Sequence, residues 1–143
     1  MEPRHVLVPL DGSPLAEEAL AHALAVFDCR TTVMSVVTPI SSQMSESGLL
    51  EREEKRGEAA RERATGLLEE AMETAGEAGR EVETVVEEGR PAETIVAYVE
   101  DSDVDHVVMG GHGGERGSIA RRLLGTVATS VVGEAPVTVT VVR

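Results

Sequence analysis

"HVLVPLDGSPLAEEALAHALAVFD" (residues 5–28) changes its period halfway along. Residues 5–10 are a short, valine-rich apolar run, as in a strand buried on both faces. "DGSP" closes the run. Ser13 then stands where a helix N-cap belongs, with Pro14 at the first helical position. Leu15, Ala19, Ala23, Val26 and Phe27 recur at helical spacing, which predicts a helix to about Asp28 with these residues inward. A buried strand feeding a helix is the first half of a βαβ unit.

The alternation continues outward from there. Residues 31–37 (TTVMSVV) read as a second strand, ended by Thr38-Pro39. Residues 41–50, opening with the aperiodic "SSQMSESG", are expected to form a mobile loop inside a single domain spanning 1–143. A long charged helix follows to about Ala78, with Ala60, Ala64, Leu67, Leu68, Ala71 and Ala75 as a narrow apolar stripe. Residues 81–89 read as a third strand. Arg90-Pro91 opens a helix with Ala92, Ile95, Val96 and Val99 inward. Residues 105–110 form a fourth strand, residues 126–132 a helix with Val127 and Val131 on one face, and residues 137–142 a last strand. The order β-α-β-α-β-α-β-α-β predicts one doubly wound α/β domain. Its five-stranded parallel sheet carries helices on both faces.

Composition narrows the function. Phe27 and Tyr98 are the only aromatic residues, so the core is built from Val, Leu, Ile, Met and Ala, with Met34 and Met109 among them. The formal charge of −13, with the single lysine Lys55, repels phosphate backbones and anionic lipid. Nucleic acid and membrane surfaces are therefore not expected partners. The acid excess fits either a host with high internal salt or a genome that favours Arg over Lys. Cys29 stands alone, which leaves no disulfide framework and no cysteine zinc site, and it reads as a small buried residue at a helix end. His5, His22 and His106 show no metal-ligand spacing. The start lacks a signal-peptide pattern and no apolar run approaches roughly 18 residues, so a soluble cytoplasmic protein is expected.

"GGHGGERGSIARRLLGT" (residues 110–126) is the segment that suggests a ligand. Five glycines fall between Gly110 and Gly117, and glycine is entropically costly to order. Either the backbone turns sharply there, or something approaches it closely. The loop follows the fourth strand at its carboxyl end, as "PLDGS" follows the first, and open α/β sheets bind ligands at such ends. Gly125-Thr126 precedes a helix, whose free N–H groups attract anions. Arg116, Arg121 and Arg122 add positive charge. A phosphate site follows from these features, although a P-loop is excluded because the loop has no lysine. Asp11 and His112 are weighed as a catalytic base and a proton shuttle. A turn-capping or ligand-positioning role is the plainer reading of Asp11, and an incidental loop residue that of His112.

Three segments carry a resemblance over nearly the whole chain. "HVLVPLDGSPLAEEAL", then "VMGGHG" followed by "LLGTVA", then "APVTVTVVR" resemble the universal stress protein family, in the same order. The resemblance implies an adenine nucleotide α-hydrolase-like fold. Its ATP-binding members carry Gly-x-x-Gly, nine residues, then Gly-Ser/Thr. Gly110-x-x-Gly113 and Gly125-Thr126 match, with eleven residues (114–124) between them. The resemblance implies that Asp11 and Pro9 meet the adenosine part and that Val36 meets adenine through its backbone. Gly110 and Gly113 would line ribose and phosphates, and Gly125 and Thr126 would hold phosphate oxygens. Leu10, Met109 and Val127 would be neighbours in the same contact, with Mg²⁺ or Mn²⁺ offsetting the charge of ATP. It further implies a homodimer through the last strand at Val137, Val139 and Val141, and an unidentified regulatory partner. The expected role is an ATP-binding stress sensor rather than a dedicated enzyme. Slow ATP hydrolysis and a nucleotide-free dimeric interaction module stand as alternatives.

Overall fold

The computed structural model describes residues 2–39, 49–112 and 124–143. In chain order the elements are β1 (His5–Pro9), α1 (Pro14–Val26), β2 (Arg30–Val37), α2 (Leu49–Glu77), β3 (Glu83–Glu88), α3 (Pro91–Asp101), β4 (His106–Gly110), α4 (Thr126–Glu134) and β5 (Thr138–Val142). The five strands form one parallel sheet in the order β3-β2-β1-β4-β5. Strand order therefore reverses between β1 and β4, where Val6 pairs with His106 and Leu7 with Val107.

Alternation along each strand splits the core in two. Val6, Val8, Val33 and Val108 meet Ala19, Leu20 and Ala23 of α1 and Leu68 and Ala71 of α2. Leu7, Met34, Val107 and Met109 meet Ile95 and Val99 of α3 and Ala128 and Val131 of α4. The two helix pairs thus cover opposite faces. Each fully buried Leu or Val contributes about 1.5–3 kcal/mol by leaving water. Alanine on the inner stripes of α1 and α2 brings these helices close to a sheet that has almost no aromatic bulk to offer.

Three expectations are corrected. Val26 is 58% exposed, because α1 stops there and extended backbone at Phe27 lets Phe27 pack against the ring of His106 instead. The segment 41–50 is helical at Leu49 and Leu50, which already belong to α2, while residues 40–48 lie outside the described residues. Val137 precedes β5 rather than lying in it. Cys29 is partly buried against the α1 side of the core, and that burial pushes its thiol pKa up.

A polar network closes the amino end of the sheet. The buried imidazole of His5 has Nδ1 2.7 Å from Asp103 Oδ1 and Nε2 2.7 Å from Thr32 Oγ1. Arg30 donates through Nε and Nη2 to both Glu83 oxygens at 2.8 Å, and through Nη1 to Asp103 at 3.2 Å. The hydrogen bond from His5, then the charges of His5 and Arg30, hold the Asp103 carboxyl below its ordinary range. The hydrogen bond from Arg30 does the same for Glu83. A carboxyl lowered on folding stabilises the native state above its unfolded pKa of about 4, and that contribution is lost as pH falls through the lower native value. Asp103→Asn is therefore expected to lower the urea midpoint at pH 7 and to flatten its decline between about pH 5 and 3. An unchanged acid slope would show that the exposed pair is screened out.

Candidate functional site

The crevice at the switch point is built by five chain segments. β1 ends at Pro9, and Leu10 N–H still donates to Met34 O at 2.7 Å, which ties the following turn to β2. Asp11 Oδ1 then accepts from Ser13 N–H at 2.9 Å, an Asx-turn. Gly12 completes that turn at φ +83°, a region that favours glycine. Ser13 caps α1, its hydroxyl accepting from Ala16 N–H at 3.3 Å. The turn leaves Asp11 exposed at the mouth of the crevice.

On the other side, the chain leaving β4 is pinned by backbone bonds. Gly111 N–H donates to Val142 O at 2.7 Å and Gly125 N–H to Gly111 O at 2.6 Å. The second bond brings the start of α4 back beside the end of β4. Gly125 is the N-cap of α4 and provides no side-chain acceptor, so the first N–H groups of that helix have no capping side chain.

Between these segments lies a cavity of about 450 Å³. Met34, Val36, Ile95, Met109 and Ala128 give it apolar walls. Asp11, Ser13, His112 and Thr126 provide its polar side chains, and Asp11 is its only formally charged one among the described residues. Pro9, Leu10, Asp11, Val36, Met109, Gly110, Gly125, Thr126 and Val127 all line this cavity, from four separate parts of the chain. Gly113, Arg116, Arg121 and Arg122 lie outside the described residues. Sequence reading overlooked Ser13, Ala16, Met34, Pro91, Ile95, His112 and Ala128 as lining residues. Two of them were legible in principle: Met34 shares its strand face with Val36, and Ile95 shares its helix face with Pro91, four residues earlier. Among the described residues no group of three His, Cys, Asp or Glu side chains is placed to hold a metal.

The glycines answer the question their clustering raises, in part against expectation. A Cβ at Gly110 would lie 2.9 Å from both the carbonyl carbon and the Cβ of Leu15. One at Gly125 would lie 3.2 Å from His112 Cα, and one at Gly111 3.2 Å from a Val141 methyl. Close approach is thus demanded by the protein itself. Gly110 is bare because the first turn of α1 packs on it, whatever else the crevice receives.

An open parallel sheet covered by helices on both faces, with a cavity at its reversal point, is a doubly wound α/β domain. The chain belongs to the universal stress protein family, whose model matches residues 2–143. The universal stress protein UspA from Lactobacillus plantarum has a similar structure, with TM-score 0.85 and 23% identity over 100% of this chain and 99% of that one. A universal stress protein in complex with cAMP matches with TM-score 0.71 and 25% identity over 100% and 99%. A family protein from Arabidopsis thaliana with AMP bound matches with TM-score 0.67 and 19% identity over 98% and 91%. No curated protein sequence gives a significant match.

Gly110→Ala is expected to cost roughly 1–3 kcal/mol of stability, since the added methyl meets backbone that cannot turn aside. Gly66→Ala, in the middle of α2 with nothing within 4 Å of the new methyl, should instead gain up to about 1 kcal/mol. Urea unfolding of both variants checks the contrast. Equal effects would mean that the contact with Leu15 relaxes freely.

Proposed function

We propose that this chain is a regulatory protein that binds an adenine nucleotide in the β1/β4 crevice. The observation that carries this reading is a single cavity joining apolar walls, suited to a purine, to the uncapped N-terminus of α4, suited to phosphate. A cavity of about 450 Å³ falls within the usual range for cofactor-sized ligands. The cAMP complex of a family member 25% identical over the full chain supports the same ligand class. Asp11, with one oxygen engaged by Ser13, keeps its other oxygen to accept from ribose hydroxyls. ATP is the ligand we favour. Mg²⁺ or Mn²⁺, where bound, offsets the charge of the triphosphate. Among the described residues Asp11 is the one carboxylate lining the cavity, which suits a cation held mainly by phosphate oxygens. No helix among the described residues is long and apolar enough to cross a membrane.

The test is calorimetric titration with ATP in Mg²⁺, AMP and cAMP, alongside release of whatever nucleotide copurifies. One nucleotide per chain is expected. Asp11→Asn keeps the Asx-turn but removes the charge, and should weaken binding about tenfold, the worth of one charge-assisted hydrogen bond. A protein that takes up none of the three ligands would overturn the reading.

The same proposal includes a homodimer through β5. This edge strand has no neighbour on its outer side in the described sheet. Val137, Val139 and Val141 pack inward against the α3/α4 side of the core, so the backbone edge of β5 would make the pairing. Light scattering should give twice the chain mass of 15.1 kDa. A monomer at working salt would remove the dimer from the proposal.

A further inference from the structure

A second concavity lies on the far side of the β1 turn, between α1 and α2. Both helices press on the sheet with alanine, so their outer flanks leave a groove of about 280 Å³. Leu10, Ala16, Leu20, Leu67 and Ala71 give it apolar walls. Glu17 of α1 and Glu70 of α2 stand exposed at its rim, one on each helix. Neither carboxylate has an ion-pair partner among the described residues. Leu67 also backs the turn itself, with Cδ2 3.5 Å from where a Cβ on Gly12 would stand. The charge around the groove is of one sign. No Lys or Arg occurs between Arg4 and Arg30, which spans all of α1, and none between Arg63 and Arg80. The second stretch carries Glu69, Glu70, Glu73 and Glu77, and no basic residue offsets the negative dipole end of α2 in its last turn. Arg80, just beyond, spends its guanidinium on the carbonyls of Leu24, Phe27 and Cys29.

We propose that the α1/α2 groove is a docking site for a basic amphipathic segment of another protein. Such a segment lays an apolar side chain on the leucine wall and sets Lys or Arg beside it, against Glu17 and Glu70. Charge complementarity selects this occupant. A second copy of this chain brings a formal charge of −13 of its own and is repelled, as is any acidic partner. A polycation without apolar groups satisfies the rim and leaves the leucines in water. Only a partner carrying both features uses both walls of the groove, in the manner of an amphipathic helix laid into an apolar channel. The place is suited to regulation, because Leu10 and Ala16 line the groove and the crevice alike. Docking itself does not depend on what the crevice holds.

The probe is a short fluorescent helical peptide of lysine and leucine, with its leucines on one face, titrated by anisotropy in about 0.1 M salt. A peptide of the same charge with serine for leucine is the control. The leucine peptide should bind one per chain, and the serine peptide at least about tenfold more weakly. The double variant Glu17→Gln/Glu70→Gln should weaken the leucine peptide about five- to tenfold. Glu58→Gln/Glu62→Gln removes the same charge from exposed positions nearer the start of α2, and should change Kd by less than about twofold. Thermal melts confirm that both variants fold. In ¹⁵N-labelled protein the peptide should move the amide signals of Gly12, Leu67, Glu70 and Thr74 above all others. Equal losses in the two double variants overturn the proposal, because diffuse charge would then account for binding. Equal affinity for the serine peptide overturns it too, and would leave a surface for polycations. So do amide shifts gathered at the crevice or at β5, or no binding at all. A change of oligomeric state in Glu17→Gln/Glu70→Gln, read by light scattering, would give the groove to a second copy instead.

Discussion

The absence of a side chain at Gly110 is the constraint on which the crevice depends. β4 and the start of α1 approach until a methyl on Gly110 would sit 2.9 Å from the Leu15 backbone. That approach sets α1 low over the sheet, where Ala16, Ala19 and Ala23 present little bulk. It also brings the β1 turn, with Asp11 and Ser13, across from the end of β4. Without it the two loops would still leave neighbouring strands, but the cavity between them would lack its close wall. The parallel pairing of β1 with β4 provides the reversal point, and Gly110 lets the helix layer close upon it.

Three helices begin at this crevice, and α1 and α4 begin differently. α1 is closed by its own sequence, since the Ser13 hydroxyl accepts an N–H of the first turn and Pro14 removes another donor. α4 begins at a glycine with no side chain to offer its first N–H groups. Gly125 N–H is taken by Gly111 O, which leaves the N–H groups of Thr126, Val127 and Ala128 at the positive end of the helix dipole without a side-chain cap. The asymmetry gives the cavity a polarity. The walls from β2, β4 and α3 are apolar, and the unsatisfied donors lie at the α4 end. A flat, amphipathic molecule with a negative tail fits that gradient in one orientation.

Most of the fold was legible because each element carries its own period. Doubly buried strands read as unbroken Val-rich runs, the helices as alanine-rich stripes, and Ser13-Pro14 and Arg90-Pro91 mark two helix starts. What escaped was set by residues far apart in sequence. His5 and Asp103 meet across 98 positions, so no local pattern announces the network at the amino end of the sheet. Arg80 donates to the carbonyls of Leu24, Phe27 and Cys29, closing the carboxyl end of α1 from beyond α2. Gly110 was legible as a close approach but not as an approach by α1. The chain alone shows that room is needed and not what fills it. His112 looked incidental for the same reason, because its place in the crevice is visible only once the neighbours are in place.

A strongly acidic chain opposes an anionic ligand at long range, and distance resolves the conflict. A formal charge of −13 acts over the whole surface, where salt screens it beyond about 10 Å at 0.1 M. Much of the acid lies on the solvent side of α2, in Glu54, Glu58, Glu62, Glu69, Glu70, Glu73 and Glu77, rather than in the cavity lining. Among the described lining residues only Asp11 is charged, while the donors of α4 act at hydrogen-bond range, where no screening intervenes. Net charge therefore bears chiefly on how quickly an anion reaches the mouth of the crevice. Under the proposed nucleotide reading, what would hold it once inside is the local arrangement of N–H groups and apolar wall. The same separation of scales makes a strongly acidic surface compatible with a single helix terminus fit for phosphate.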